Sequence, residues 1–160
     1  MKKPTVRLGE LLVQRKLIAP AQLDAALADQ RLSKEFLGAI LVRRGLIKPD
    51  DLLRVLSEQF DLPCERLQVE QTDWRVAKQF PASAFADGTC FPIRADGQSV
   101  TVAIANPLNA WALSTMEKAA GFRKVVPVLV TEQDLRDVLE AYRRQSLRSI
   151  EHLLKDEDAA

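Results

Sequence analysis

A small set of residues able to recognise a polar ligand recurs in this 160-residue chain at one spacing. Gln30 and Gln59 carry amides that both donate and accept, and Arg7 carries a planar fork suited to a phosphate or a guanine edge. Gly9 and Gly38 each fall one residue into an expected helix, where glycine is weaker than alanine and most useful if something approaches the backbone closely. Taken singly, each of these reads as structural or solvated. They recur together, in company with Leu8, Leu23 and Leu27 in one place and Leu37, Leu52 and Leu56 in the other. That recurrence points to two half-sites for a ligand with two like halves.

No comparable set supports catalysis. His152, the single histidine, lies on the last expected helix and reads as a solvated surface residue. No glycine precedes a lysine followed by serine or threonine, so a Walker A phosphate loop is missing. There is no CxxC pair and no histidine, cysteine and carboxylate cluster at metal-ligand spacing. Asp50 and Asp51 open a helix, where acids suit the dipole, and the acidic run at 156–158 belongs to the tail. We expect neither an enzyme nor a resident cofactor or metal.

The elements that position these residues follow from an internal duplication. The stretch RLGELLVQRKLIAPAQLDAALADQ, from Arg7 to Gln30, returns as FLGAILVRRGLIKPDDLLRVLSEQ, from Phe36 to Gln59, with 11 identities in 24 aligned positions. Each copy runs into a break before Pro20 or Pro49, which suits the first turn of a second helix. Leu23/Leu27 and Leu52/Leu56 then form an apolar stripe at helical spacing. Each copy is thus a helix–turn–helix hairpin of unequal arms. Solenoids usually need three or more repeats to bury a continuous core, so a pair demands another explanation.

Beyond Leu62 the pattern changes. A short helix opens at Thr72 or Asp73, and two strand-like runs flank Asp96-Gly97 as a β-hairpin. A helix runs from Asn109 to Gly121, and a strand containing Pro127 suits a sheet edge. A long last helix is capped by Thr131, with a frayed tail from Lys155. The expected class is α+β: a tandem-repeat helical unit over 1–61, a small unit of about three strands and three helices over 62–145, and a helix end with tail over 146–160.

Composition narrows the partners. An apolar fraction of 47% with 28% charged residues is ordinary for a globular chain. The net charge of +1 argues against a dedicated nucleic-acid binder, and no polybasic segment is present to hold a membrane surface. No secretory h-region or membrane-length apolar run occurs, and Cys64 and Cys90 read as unpaired, buried or half-buried residues. A cytoplasmic location is expected, without membrane insertion. Operator-type DNA reading is disfavoured too, because the second helix of each hairpin is acidic or neutral rather than basic.

The doubled pattern RLGxxLVxxGLIxxxxLxxxLxxQ, with its five-residue spacer, resembles the MshEN domain. That is the N-terminal module of type II secretion and type IV pilus ATPases, also attached to some glycosyltransferases. The segment from about Leu62 to Tyr142 is similar to the α+β part of the same domain. The resemblance implies a cyclic di-GMP receptor module, with a secretion or pilus ATPase, glycosyltransferase or similar effector as protein partner. By position it implies contacts from Arg7, Leu8, Gly9, Leu23, Leu27 and Gln30 for one half of the ligand. For the other half it implies Phe36, Leu37, Gly38, Leu52, Leu56 and Gln59, with Asn106 reading a guanine edge. The alternative is a ligand-independent docking domain in which both sets serve only as core. Two positions depart from the pattern. Lys16 replaces the glycine found as Gly45, at a cost of roughly 1 kcal/mol if the position is a left-handed helix cap. Phe36 stands in the slot of Arg7, offering a stacking ring but losing a charged hydrogen bond worth about 1.5–3 kcal/mol.

Overall fold

The computed structural model describes residues 3–158. The chain begins with the two expected hairpins: α1 Leu8–Gln14 with α2 Pro20–Ser33, then α3 Leu37–Arg43 with α4 Pro49–Phe60. Pro20 and Pro49 open α2 and α4, where the missing N–H would have had no helical partner. Gln22 accepts from the Ala19 N–H at 2.8 Å and so satisfies a free donor at the start of α2. The first arms end identically. Leu17 N–H donates to Leu12 O and Lys16 N–H to Val13 O, while Leu46 donates to Leu41 O and Gly45 to Val42 O. This is the Schellman stop, and its left-handed residue is Lys16 (φ 56°) in one copy and Gly45 (φ 70°) in the other.

The hairpins close on each other reciprocally. Gln59 Nε2 donates to Val6 O at 2.7 Å, and Gln30 Nε2 donates to Glu35 O at 3.0 Å. Each glutamine thus holds the carbonyl just before the first residue of the other copy. Ion pairs repeat the relation: Arg15 meets Glu58 at 2.5 Å, and Arg44 Nε meets Asp29 at 2.7 Å. Adding 29 to the residues of copy one converts each contact into its mate. Leu12 and its counterpart Leu41 are both fully buried. The arrangement is that of an isologous two-fold dimer, built within one chain.

The second unit matches the expected class in its elements. Asp73 caps the short helix α5 (Trp74–Ala77) by accepting from Arg75 N–H at 3.0 Å. Strands β1 (Cys90–Ala95) and β2 (Ser99–Ile104) pair antiparallel around Asp96-Gly97, where Asp96 Oδ1 accepts from the N–H groups of Gln98 and Ser99, both at 2.7 Å. Helix α6 (Ala110–Ala120) is capped by Asn109 and stops at Gly121. It returns the chain as β3 (Lys124–Leu129), parallel to β2 and on the sheet edge, which accommodates Pro127. Helix α7 (Glu132–Asp158) starts with Thr131 Oγ1 accepting from Asp134 N–H at 3.1 Å. Phe91, fully buried, packs against Phe85, Trp74 and Tyr142, tying α5, β1 and α7 into one core.

Two expectations need correction. The tail from Lys155 is helical through Asp158, supported by the His152–Asp156 contact at 3.0 Å one turn apart; residues 159–160 lie outside the described part. Cys64 is exposed, because the segment after α4 crosses the sheet edge at the surface. Cys90 is buried, and burial pushes its thiol up to about 12. Among the described residues, no helix is long and apolar enough to cross a membrane.

The units are joined at β3 and by one arginine. Glu65 N–H donates to Leu129 O at 3.0 Å and Leu129 N–H to Pro63 O at 2.8 Å. Arg66 then donates to Asp134 through Nε (2.7 Å) and Nη2 (3.0 Å), and to Asp50 through Nη1 (2.9 Å). Burial acts to raise the Asp134 pKa. The hydrogen bonds from Arg66 and Leu67 N–H, together with the Arg66 charge, outweigh it and hold the carboxyl below its ordinary range. Hydrogen bonding and charge from Asp134, and then the charge of Asp50, raise the guanidinium in turn.

A carboxylate depressed in the folded state stabilises the fold above its unfolded pKa, and that stabilisation disappears as pH falls through the folded value. Asp134→Asn is therefore expected to lower stability at pH 7 by about 1.5–3 kcal/mol. The variant should also lose less than the parent on going from pH 7 to pH 3. Urea unfolding at the two pH values measures both effects. In the same assay Lys16→Gly should gain roughly 0.5–1 kcal/mol by relieving the left-handed backbone at that position.

Candidate functional site

A cavity of about 890 Å³ lies between copy two of the hairpin and the α+β unit. This falls within the roughly 300–1,000 Å³ typical of small-molecule sites. Its floor is apolar: Phe36 and Ala39 from the start of α3, and Leu52, Leu53 and Leu56 from α4. The facing wall is the first half of α7, with Leu135, Arg136, Leu139 and Arg143. Asp87, Gly88 and Thr89 from the loop before β1, with Asn106 and Asn109 from the loop before α6, complete the rim. Gly88 is in the left-handed region (φ 80°), which turns that loop toward the cavity.

Of the residues singled out from sequence, Phe36, Leu52, Leu56 and Asn106 meet here. Asn106 Oδ1 accepts from Leu108 N–H at 2.9 Å, and its NH2 group has no acceptor among the described residues. Leu37 and Gly38 are buried beneath the floor rather than lining it. The copy-one set lies outside the cavity. Leu8 and Gly9 are buried, Leu23, Leu27 and Gln30 are half-buried, and Arg7 is exposed with no hydrogen-bond or ion-pair partner among the described residues. Gln59 is also outside the lining, and its Oε1 is buried with no partner among the described residues.

The asymmetry has a packing cause. Helix α4 lies against β3 and buries Leu52, Leu53, Val55, Leu56 and Phe60; α2 has no such cover and buries only Ala26. The repeated glycines also acquire a local role. A Cβ at Gly9 would lie 2.6 Å from Leu23 Cδ1, and one at Gly38 would lie 2.7 Å from Phe36 Cε1 and 2.9 Å from Leu52 Cδ2. Within each copy the first leucine of the stripe approaches the glycine backbone, and in copy two the Phe36 ring comes closer still.

Sequence reading passed over the arginines of the cavity. Arg136 and Arg143 are seven residues apart, two helical turns, and so share a face of α7. That spacing was readable, but nothing local indicates which face of α7 turns toward a cavity. Arg43 stands on the opposite side, paired with Glu35 at 3.2 Å.

A reciprocally closed helical pair packed on a three-stranded sheet, with an apolar-floored and arginine-bearing cleft between copy two and α7, defines an α+β module with one candidate ligand cavity. The chain belongs to the MshEN domain family, whose match covers residues 60–149. The type IV pilus assembly ATPase PilB of Myxococcus xanthus is 29% identical over 150 residues, which is 94% of this chain and 26% of that protein. Bacteriophage adsorption protein B of Escherichia coli is 28% identical over 123 residues, 77% of this chain and 16% of that protein. The chain therefore spans about a quarter or less of the length of these relatives. Among solved structures, MshE with cdg is similar at a TM-score of 0.71 and 24% identity, covering 86% of this chain and 99% of that one. The N-terminal domain of XpsE follows at 0.65 and 18%, covering 88% and 96%. These likenesses establish the fold.

The two glycines should respond differently to a methyl group. Gly9→Ala displaces only half-buried Leu23, and the helical gain of alanine offsets much of that, so a change below about 0.5 kcal/mol is expected. Gly38→Ala must move Phe36 and Leu52 together, and should destabilise by about 1–2 kcal/mol. Parallel urea titrations would reveal the difference.

Proposed function

We propose that this chain is a cyclic di-GMP receptor module of the MshEN type, without chemistry of its own, acting on the cytoplasmic side of a pilus or secretion system. One observation carries the reading: the leucine stripe of copy two forms the floor of a cavity walled by a second unit, so that a bound ligand touches both units at once. The family membership and the structural likeness to MshE with cdg support the choice of ligand. Leu52 and Leu56 are already buried, so the apolar surface a ligand withdraws from water comes mainly from Phe36, Leu23 and Leu27, at on the order of 25 cal/mol per Å². Phe36 offers a ring for stacking, and the NH2 group of Asn106 suits a guanine acceptor. The second guanine half reaches copy one, whose Leu23 and Leu27 are half-exposed and available for cover. Occupancy fixes the angle between the units and so changes the surface offered to a linked or separate effector.

A specific observation favours a second reading, docking without a ligand. Both glutamine amides are already engaged by backbone carbonyls, and neither glutamine lines the cavity. In that case copy one's open α2 face serves a protein partner.

Isothermal titration calorimetry separates the two. Saturable one-to-one heat with cyclic di-GMP at micromolar protein is expected, weakened at least tenfold by Phe36→Ala and by Arg7→Ala. A folded protein that gives no heat would overturn the receptor reading and leave docking.

A further inference from the structure

A cyclic dinucleotide carries two phosphodiester charges, and an apolar floor of Phe36, Leu52 and Leu56 cannot balance them. Copy two also lacks the arginine that copy one has in the corresponding slot, since Phe36 replaces Arg7. The compensating charge has to come from the other wall. Most charges on the lining are already matched. Glu35 pairs with Arg43 at 3.2 Å, Glu132 with Arg136 at 2.9 Å, and Glu140 with Arg144 outside the lining. Asp87 Oδ1 accepts from Thr89 N–H at 3.2 Å and from Thr89 Oγ1 at 2.8 Å.

Two groups are exceptions among the described residues: Asp87, whose hydrogen bonds from Thr89 leave its charge without a cation, and Arg143. Among the described residues Arg143 is the lining arginine with no carboxylate partner. Its Nη2 donates to Ala86 O at 3.0 Å, which leaves four of the five guanidinium N–H groups uncommitted. The side chain is exposed, and that one hydrogen bond is what places its head. Arg143 and Leu139 line both the main cavity and a smaller groove of about 400 Å³ formed with Ala82, Phe85 and Leu147. The side chain therefore stands in the partition between the two, with its head at the loop that carries Asp87, Gly88 and Thr89 into the rim.

We propose that Arg143 is the phosphate-holding residue of this cavity, replacing from α7 the cation that copy two lacks at Phe36. The proposal rests on the cyclic di-GMP reading. A planar fork held by one hydrogen bond to a carbonyl keeps an edge free for two non-bridging phosphate oxygens, and a lysine cannot reproduce that geometry.

Calorimetry with cyclic di-GMP on the full chain and on Arg143→Ala, Arg143→Lys and Arg144→Ala tests it, with thermal unfolding of each variant as the folding check. Arg143→Ala should weaken binding at least tenfold, Arg143→Lys should recover part of the loss, and Arg144→Ala should match the parent. If the parent binds and folded Arg143→Ala binds equally well, Arg143 has no such role while the receptor reading stands. If Arg144→Ala loses as much as Arg143→Ala, general charge is responsible and the assignment fails. A folded parent that gives no heat overturns both.

Discussion

The reciprocal closure of the two hairpins is the constraint on which the remaining structure depends. A hairpin whose cross-copy contacts run from Gln30 to Glu35 and from Gln59 to Val6, with Arg15–Glu58 and Arg44–Asp29 beside them, leaves no equivalent surface for a third copy. Two-fold contacts saturate at two, whereas head-to-tail contacts would continue into a solenoid. This explains why the repeat occurs twice. The surface ion pairs add little individually; Leu12 and Leu41, both fully buried, supply the apolar centre that the polar contacts align.

Closure creates two like faces, and the chain can cover only one. Helix α4 leads directly into Pro63–Glu65, which bonds to Leu129 at the end of β3, so the sheet must settle on copy two. Arg66 then sets the spacing of the cleft. Asp50 is next to Pro49 on the floor side and Asp134 is next to Gln133 on the α7 side, so one guanidinium spans from wall to wall. Its two ends are unequal. Asp134 is buried and receives two bonds from Arg66 and one from Leu67, whereas Asp50 is exposed and receives one. An exposed pair is screened by water and salt, so the α4 end is the one that yields when the units move apart.

How much of this was legible in the sequence depends on how locally each feature is determined. Pro20 and Pro49 at helix starts, the Asp96-Gly97 turn, and the Asp73, Asn109 and Thr131 caps are fixed by residues within a few positions of one another, and each was found where its local chemistry placed it. The left-handed cap at Lys16 was visible only because Gly45 stands in the other copy. The cavity is different in kind. It brings Phe36 and Leu52 to Asn106 and Arg143, and no periodicity within α7 says which of its faces meets copy two. The glutamines mark the boundary between the two cases. Their equivalence was plain from the repeat, but their use by backbone carbonyls of the opposite copy follows from closure, which the repeat alone does not specify.

The differences between the copies follow the environments that folding assigns to them. Arg7 and Asp24 of copy one are exposed, while their counterparts Phe36 and Leu53 line the cavity; Leu11 is half-buried and its counterpart Ile40 fully so. Copy two has become more apolar at the positions that the sheet and α7 face. Copy one keeps charged residues at Arg7 and Asp24 and half-exposes its leucine pair. Two-fold symmetry in the helical pair therefore does not extend to its surfaces. On the proposed reading, a ligand with two equal halves would meet one half-site already roofed, with Arg143 of α7 supplying its cation, and a second that is open and carries Arg7. The two halves of such a ligand would be held by different physics, apolar enclosure on one side and an exposed charge on the other. Salt should weaken the open side first.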